Sequence, residues 1–293
     1  MKRNKKSPNI ISALVLACLF LVLGQILGVI VNIYLIYSIK LQDIIHIELN
    51  LLYLLCSLIS CIFVIIFIVL RIKIIEKRKL SEIKFRKENM IYNYARGFFI
   101  GLLLMSFVVF LLGISGNLVM EAYPKQKVGL NALSSVALIS IGWIIQGASE
   151  EILTRGWLMR VLQDRYSLRT SVIVSSIFFG GLHLLNPNVG IIAIMNIILV
   201  GFLLSLYVIK TDDLWGACAI HSAWNLAQGN IYGFEVSGID VGVGTLLDMN
   251  LSGSEIITGG IFGPEAGIAT TIILILAIIT LMYFSTLKSK ILK

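Results

Sequence analysis

Long apolar runs separated by short polar stretches dominate this chain of 293 residues. Most runs are close to the roughly 20 residues that an α-helix needs to cross a bilayer. They predict eight spans: Ile10–Ile39, Leu49–Leu70, Ala95–Ser115, Leu133–Arg160, Thr170–Leu185, Val189–Ile209, Leu214–Ile231 and Ala266–Leu287. The fifth run is the shortest and weakest. The pattern therefore predicts an all-α, polytopic membrane helix bundle of about eight transmembrane helices, forming a single integral membrane domain over residues 1–293.

Composition agrees with a membrane protein, because 14% of the residues are charged, against about 25% in soluble domains. The formal net charge is +8, but the basic residues flank the apolar runs, which indicates topology and lipid contact rather than nucleic-acid binding. Nine Lys and Arg lie in and beside the loop after the second run, and none lies in residues 232–265. By the positive-inside rule this alternation places both termini in the cytoplasm, and we expect a multi-pass protein of the cell membrane.

The four cysteines lie inside apolar runs, form no CxxC pair and fit no zinc spacing. We expect them to be buried free thiols.

The fourth run contains charged residues at an unusual depth. Its helical apolar period continues past Glu150 and Glu151 to Leu162, which favours one long helix. Glu151 and Arg155 are then i and i+4 on one face, where they can form a buried ion pair with a mainly structural role. The alternative is that the span ends near Ser149 and the charged run is a solvated helix end.

Two further runs present polar pairs at i, i+4 spacing. The fifth contains Phe179 and His183, and the seventh contains His221 and Asn225. Taken alone, each histidine can also be interpreted as an ordinary core residue or as part of a hydrogen-bonded pair that joins two helices. However, from the predicted cytoplasmic face, Glu150 lies roughly 15 Å in, His183 roughly 20 Å, His221 roughly 10 Å and Asn225 roughly 16 Å. We therefore predict that these four side chains converge in one cavity.

Such a set suits amide hydrolysis. A buried glutamate can act as general base towards water, a histidine can hold that water or bind a metal, and an asparagine amide can donate to the oxyanion. The sequence has no G-x-S-x-G, no H-E-x-x-H and no GxGxxG before a helix, so serine hydrolase, zincin and nucleotide-binding hypotheses lack support.

The segments EEILTR, FGGLH and HSAWN, over residues 133–230, resemble the EExxxR, FxxxH and HxxxN motifs of the CAAX-prenyl-protease and bacteriocin-processing (Abi) family of intramembrane proteases. The resemblance implies a catalytic core at 133–230 and an endopeptidase that cleaves membrane peptides or lipidated proteins in the bilayer. It implies that Glu150 activates water, that His183 and His221 complete the site and that Asn225 serves the oxyanion. By the same resemblance Glu151 and Arg155 belong to the predicted catalytic set with these four residues, and Phe179 occupies the remaining motif position.

Members of that family are commonly called metalloproteases. Glu150, His183 and His221 can bind a divalent metal such as zinc with an open position for water, or they can hold water without a metal, and the sequence leaves both open. Two other functions also remain: a non-catalytic partner or regulator of another membrane protein, and a proton-coupled transporter. Against the transporter, the chain has no inverted repeat.

The segment from Tyr232 to Glu265 is rich in glycine, yet it is more apolar than a free loop of that length. It is either a flexible outer loop or a lid that folds back over the cavity.

Overall fold

The computed structural model describes residues 7–283. The α-helices are α1 (Ile10–Ile33), α2 (Leu41–Ile45), α3 (Leu49–Ser60), α4 (Ile62–Leu70), α5 (Met90–Ile114), α6 (Leu133–Glu151), α7 (Met159–Gln163), α8 (Leu168–Gly181), α9 (Ile191–Thr211), α10 (Trp215–Leu226), α11 (Glu255–Thr258) and α12 (Ile268–Tyr283). π-Helical turns follow at Tyr34–Ser38, Arg71–Ile75, Ile152–Leu158 and Ala227–Ile231. Strands β1 (Leu118–Met120) and β2 (Met249–Leu251) pair antiparallel, a small sheet that the all-α prediction did not include.

Five helices in the described part of the chain are long and apolar enough to cross a membrane: Ile10–Ser38, Leu49–Ile75, Met90–Ile114, Gly129–Gln163 and Ile191–Thr211. They correspond to the first, second, third, fourth and sixth predicted spans. The fifth and eighth correspond to shorter apolar helices, Leu168–Gly181 and Ile268–Tyr283. The helical membrane class is thus supported, while the count of eight stays a prediction. The cytoplasmic orientation of the two termini also stays a prediction, because residues 1–6 and 284–293 lie outside the described residues.

The seventh predicted span forms α10, which lies at the centre of the bundle. Every residue from Gly216 to Leu226 is buried, and α10 packs most extensively against α5 and α6. Glycines allow the close approach to α5: a Cβ on Gly97 would lie 2.2 Å from the Gly216 carbonyl oxygen, and one on Gly101 would lie 2.3 Å from that of Ile220. Small residues at such contacts are a general feature of membrane helix packing.

The fourth predicted span is one continuous helix of 35 residues, Gly129–Gln163. The helix does not end near Ser149, so the alternative of a solvated charged end is wrong for this segment. Its π-helical turn at Ile152–Leu158 is buried throughout. π-Helical insertions are often found at functional sites, and this one begins directly after Glu151.

The segment between α10 and α12 is packed against the bundle. Its apolar side chains Phe234, Val236, Val241 and Phe262 are each 3% exposed or less. The backbone of β2 is hydrogen-bonded to β1, in the connection after α5. This geometry agrees with the predicted folding-back of the segment and not with a free loop. Whether it opens and closes as a lid stays a prediction.

Candidate functional site

Glu151 and Arg155 form the predicted i, i+4 ion pair. Arg155 Nη1 lies 2.9 Å from Glu151 Oε1, and both side chains are 0% exposed. The same Nη1 donates to Thr154 Oγ1 at 2.7 Å, and the guanidinium carbon lies 4.2 Å from the centre of the Phe179 ring. The pair therefore joins the π-helical turn to α8. The predicted buried pair is confirmed, and its structural role stays a prediction.

Glu151 also fixes the orientation of His221, a contact that the sequence did not predict. His221 Nδ1 lies 2.9 Å from Glu151 Oε1. Because an ionised carboxylate can only accept, Nδ1 carries a hydrogen, and in the neutral ring Nε2 then holds the lone pair. Nε2 faces Glu150 Oε2 at 3.9 Å, a separation longer than a direct hydrogen bond. The ring thus bridges the two adjacent glutamates.

Glu150 is held by a neighbour one helical turn earlier. Gln146 Nε2 donates to Glu150 Oε1 at 2.6 Å, and Asn225 Nδ2 donates to Gln146 Oε1 at 3.0 Å. The second oxygen, Glu150 Oε2, is buried and has no hydrogen-bond partner among the described residues. One carboxylate oxygen is therefore oriented, and the other remains free to accept a proton beside His221.

His183 lies in the turn that follows α8 rather than within a helix, because α8 ends at Gly181. Its Nδ1 lies 2.9 Å from the Phe179 carbonyl oxygen. As a carbonyl can only accept, Nδ1 donates and Nε2 is again the free ring atom. Both histidines are therefore held through Nδ1, one by a carboxylate and one by the backbone.

A small cavity brings most of the predicted residues together. His183, His221 and Asn225 line it, with Phe179 as a further wall. Its volume is about 40 Å³, enough for water but far below the roughly 300 Å³ at which ligand pockets begin. Glu150 is not among the lining residues; it contacts the site through His221 and Gln146. Convergence of all four side chains in one cavity is therefore supported for three, and for Glu150 it stays a prediction.

The sequence did not predict several polar groups of the site, among them Gln146 and Glu265. Gln146 is hydrogen-bonded to both Glu150 and Asn225 and so links them. Its i, i+4 spacing from Glu150 is the sequence feature that could have indicated this role. Glu265, in the segment after α10, lines the cavity and is 8% exposed. Its carboxylate accepts the backbone N–H of Ser237, and burial raises the pKa of Glu265 above the ordinary range of a glutamate.

The predicted metal set was tested against this geometry. Among the described residues, no three His, Cys, Asp or Glu side chains are arranged to hold a metal ion. Glu150, His183 and His221 are therefore not arranged as a three-ligand zinc site among the described residues. The metal stays a prediction.

Comparison with known proteins gives one match. Residues 132–227 match the family model described as type II CAAX prenyl endopeptidase Rce1-like. The comparisons with curated proteins and with solved structures found no match. The family match and the five apolar helices together indicate a multi-pass membrane protein.

The matched range contains all seven motif positions from Glu150 to Asn225. The match of residues 132–227 to the Rce1-like model of type II CAAX prenyl endopeptidases confirms the resemblance inferred from the three motifs.

Proposed function

We propose that the protein is an intramembrane endopeptidase of the cell membrane that hydrolyses a peptide bond in a membrane-associated or lipidated protein. The observation that carries this proposal is the free Glu150 Oε2 facing His221 Nε2 at 3.9 Å. With the His221 ring neutral, a water molecule beside this gap can donate one hydrogen to each atom. Both acceptors are oriented through their other polar atom, so the water would be held with little reorganisation.

The reaction balances with these residues. Glu150 Oε2 takes a proton from the water as its oxygen attacks the peptide carbonyl carbon. The carbonyl oxygen becomes negatively charged, and Asn225 stabilises it. Nδ2 of Asn225 has two hydrogens, of which one is bonded to Gln146, so the other can be donated to the oxyanion. When the C–N bond breaks, the proton held by Glu150 passes to the leaving amine nitrogen, and the carboxylate is restored.

Glu151 and Arg155 act as positioning residues in this scheme. Glu151 fixes the His221 tautomer through the 2.9 Å contact to Nδ1, and Arg155 compensates the buried charge of Glu151. Neither group needs to contact the substrate. His183, which lines the same cavity as His221, contributes a second free Nε2 for a polar group of the substrate.

Substrate entry requires a rearrangement, because a cavity of about 40 Å³ cannot hold a peptide. The wall supplied by Ser237 and Glu265 belongs to the segment between α10 and α12. We propose that this segment moves outward to admit the substrate, as lids do in other enzymes.

The test is proteolysis by the purified protein in lipid nanodiscs. Wild type and Glu150→Ala are incubated with membrane peptides and with synthetic prenylated peptides, and new termini are identified by mass spectrometry. Glu88→Ala is the matched control, because Glu88 is an exposed carboxylate in the loop before α5. We expect cleavage by wild type and the control but not by Glu150→Ala. Equal product from all three proteins would contradict the proposal.

A further inference from the structure

A lateral groove of about 630 Å³ lies between α5, α9, α10 and α12, outside the catalytic cavity. Its walls are almost entirely apolar. Two cationic side chains, Arg96 and Lys210, lie among its lining residues, and none of the described residues that line it is acidic. The groove thus combines an apolar channel with positive charge.

Arg96 has no anionic partner within ion-pair distance among the described residues. The ion pairs among the described residues leave Arg96 out. Its Nη2 donates to Tyr207 Oη at 3.1 Å, and its guanidinium carbon lies 5.7 Å and 5.8 Å from the rings of Tyr92 and Tyr207. Its Nε is buried and has no hydrogen-bond partner among the described residues. The guanidinium is therefore oriented, and an anion would compensate its charge.

The length of the groove matches one leaflet of a bilayer. Its lining residues on α5 extend from Arg96 to Phe107, which at 1.5 Å per residue is roughly 16 Å. Half of a hydrocarbon core about 30 Å thick is about 15 Å. Lys210, near the end of α9, lines the same groove. A ligand with an anionic head and an apolar chain that reaches the bilayer midplane fits this arrangement.

We propose that this groove binds one anionic phospholipid, with its phosphate between Arg96 and Lys210 and an acyl chain along the apolar walls. Arginine is well suited to phosphate because its planar donors can bind two oxygens at once.

The bound chain would lie against the catalytic cavity. Leu104, Leu203 and Ile220 line both the groove and that cavity, so these three side chains separate the lipid from the site of hydrolysis. Ile220 directly precedes His221 on α10. Lipid occupancy would therefore stabilise the packing on which His221 rests, whether or not the proposed hydrolysis is correct.

The experiment measures lipid binding without using activity. Delipidated protein in detergent is titrated with phosphatidylglycerol or with phosphatidylcholine of the same chains, and binding is followed by native mass spectrometry and thermal unfolding. We expect a single phosphatidylglycerol to bind about tenfold more tightly than phosphatidylcholine, a factor that corresponds to 1.4 kcal/mol. Glycerol phosphate, which has the head but no chain, should not raise the unfolding temperature.

Arg96→Gln should abolish the preference for the anionic lipid, whereas Lys87→Gln, at an exposed basic residue outside the groove, should keep it. Ala277→Trp fills the groove from α12 without removing the cation and should displace the lipid, which keeps the test valid if Arg96→Gln does not fold.

Equal affinity for the two lipids would overturn the proposal, as would equal effects of glycerol phosphate and phosphatidylglycerol. Loss of cleavage in Arg96→Gln with unchanged lipid binding would assign the groove to the peptide substrate and overturn it too.

Discussion

Replacing Arg155 with leucine leaves the carboxylate of Glu151 buried without its cation. Both side chains are 0% exposed, so water cannot take over the lost interaction. Removing one partner of a buried ion pair typically costs about 3–5 kcal/mol. Leucine fills much of the arginine stem's volume, so most of this loss reflects charge rather than a cavity. We expect Arg155→Leu to lower the free energy of unfolding by that amount and to reduce activity.

Reversible unfolding in mixed micelles measures the effect, with Arg169→Leu as the control. Arg169 is exposed near the start of α8, and its replacement should change stability by less than about 0.5 kcal/mol. The double variant Glu151→Gln/Arg155→Leu removes the uncompensated charge and should recover most of the stability, because neutral replacement of a buried pair is often tolerated. If Arg155→Leu were as stable as wild type but inactive, the structural role assigned to the pair would be wrong.

Two further predictions concern packing and pH. Gly101→Ala should destabilise the protein by about 1–3 kcal/mol, because the new Cβ would lie 2.3 Å from the Ile220 carbonyl oxygen. The control is Gly113→Ala, whose Cβ would meet one methyl group of Leu118 at 3.9 Å. In a thermal unfolding assay this control should be neutral or slightly stabilising. At the end of the fourth span, partial burial acts to raise the pKa of Asp164, but hydrogen bonds and charges from Arg78 and Arg160 outweigh it and hold that pKa below the ordinary value. A depressed folded-state pKa stabilises the fold above the unfolded-state value, about 3.9, and this contribution is lost as pH falls through the folded-state pKa. Unfolding measured against pH should show that acid-dependent loss in wild type and not in Asp164→Asn; identical profiles would contradict the assignment.

Local spacing on single helices was predicted well from the sequence. The EEILTR segment placed Glu151 and Arg155 one turn apart on a continuing helix, and the pair is found there at 2.9 Å. The hydropathy pattern located five helices that can cross a membrane. It located their apolar parts rather than their ends: α5 begins at Met90 instead of Ala95, because the helix extends into a polar stretch that contributes nothing to an apolar run.

Contacts between distant segments could not be predicted in this way. The hydrogen bond from Asn225 to Gln146 joins residues 79 positions apart, and Glu265 reaches the cavity through the folding of the segment after α10. The position of His183 differs for a local reason. Two consecutive glycines, Gly180 and Gly181, weaken the end of α8, so His183 lies in a turn where the i, i+4 pattern predicted a helix.

In the proposed reaction, Glu150 activates the water that cleaves the peptide bond. The most direct test is the rate constant of cleavage by Glu150→Gln, divided by that of wild type, with the folded fraction of both proteins measured by thermal unfolding. Glutamine keeps the contact with Gln146 but cannot accept the proton. General-base catalysis typically contributes 10²- to 10⁴-fold, so we predict a loss of about that size with an unchanged unfolding temperature. A folded Glu150→Gln protein that cleaves within about threefold of the wild-type rate would contradict the account.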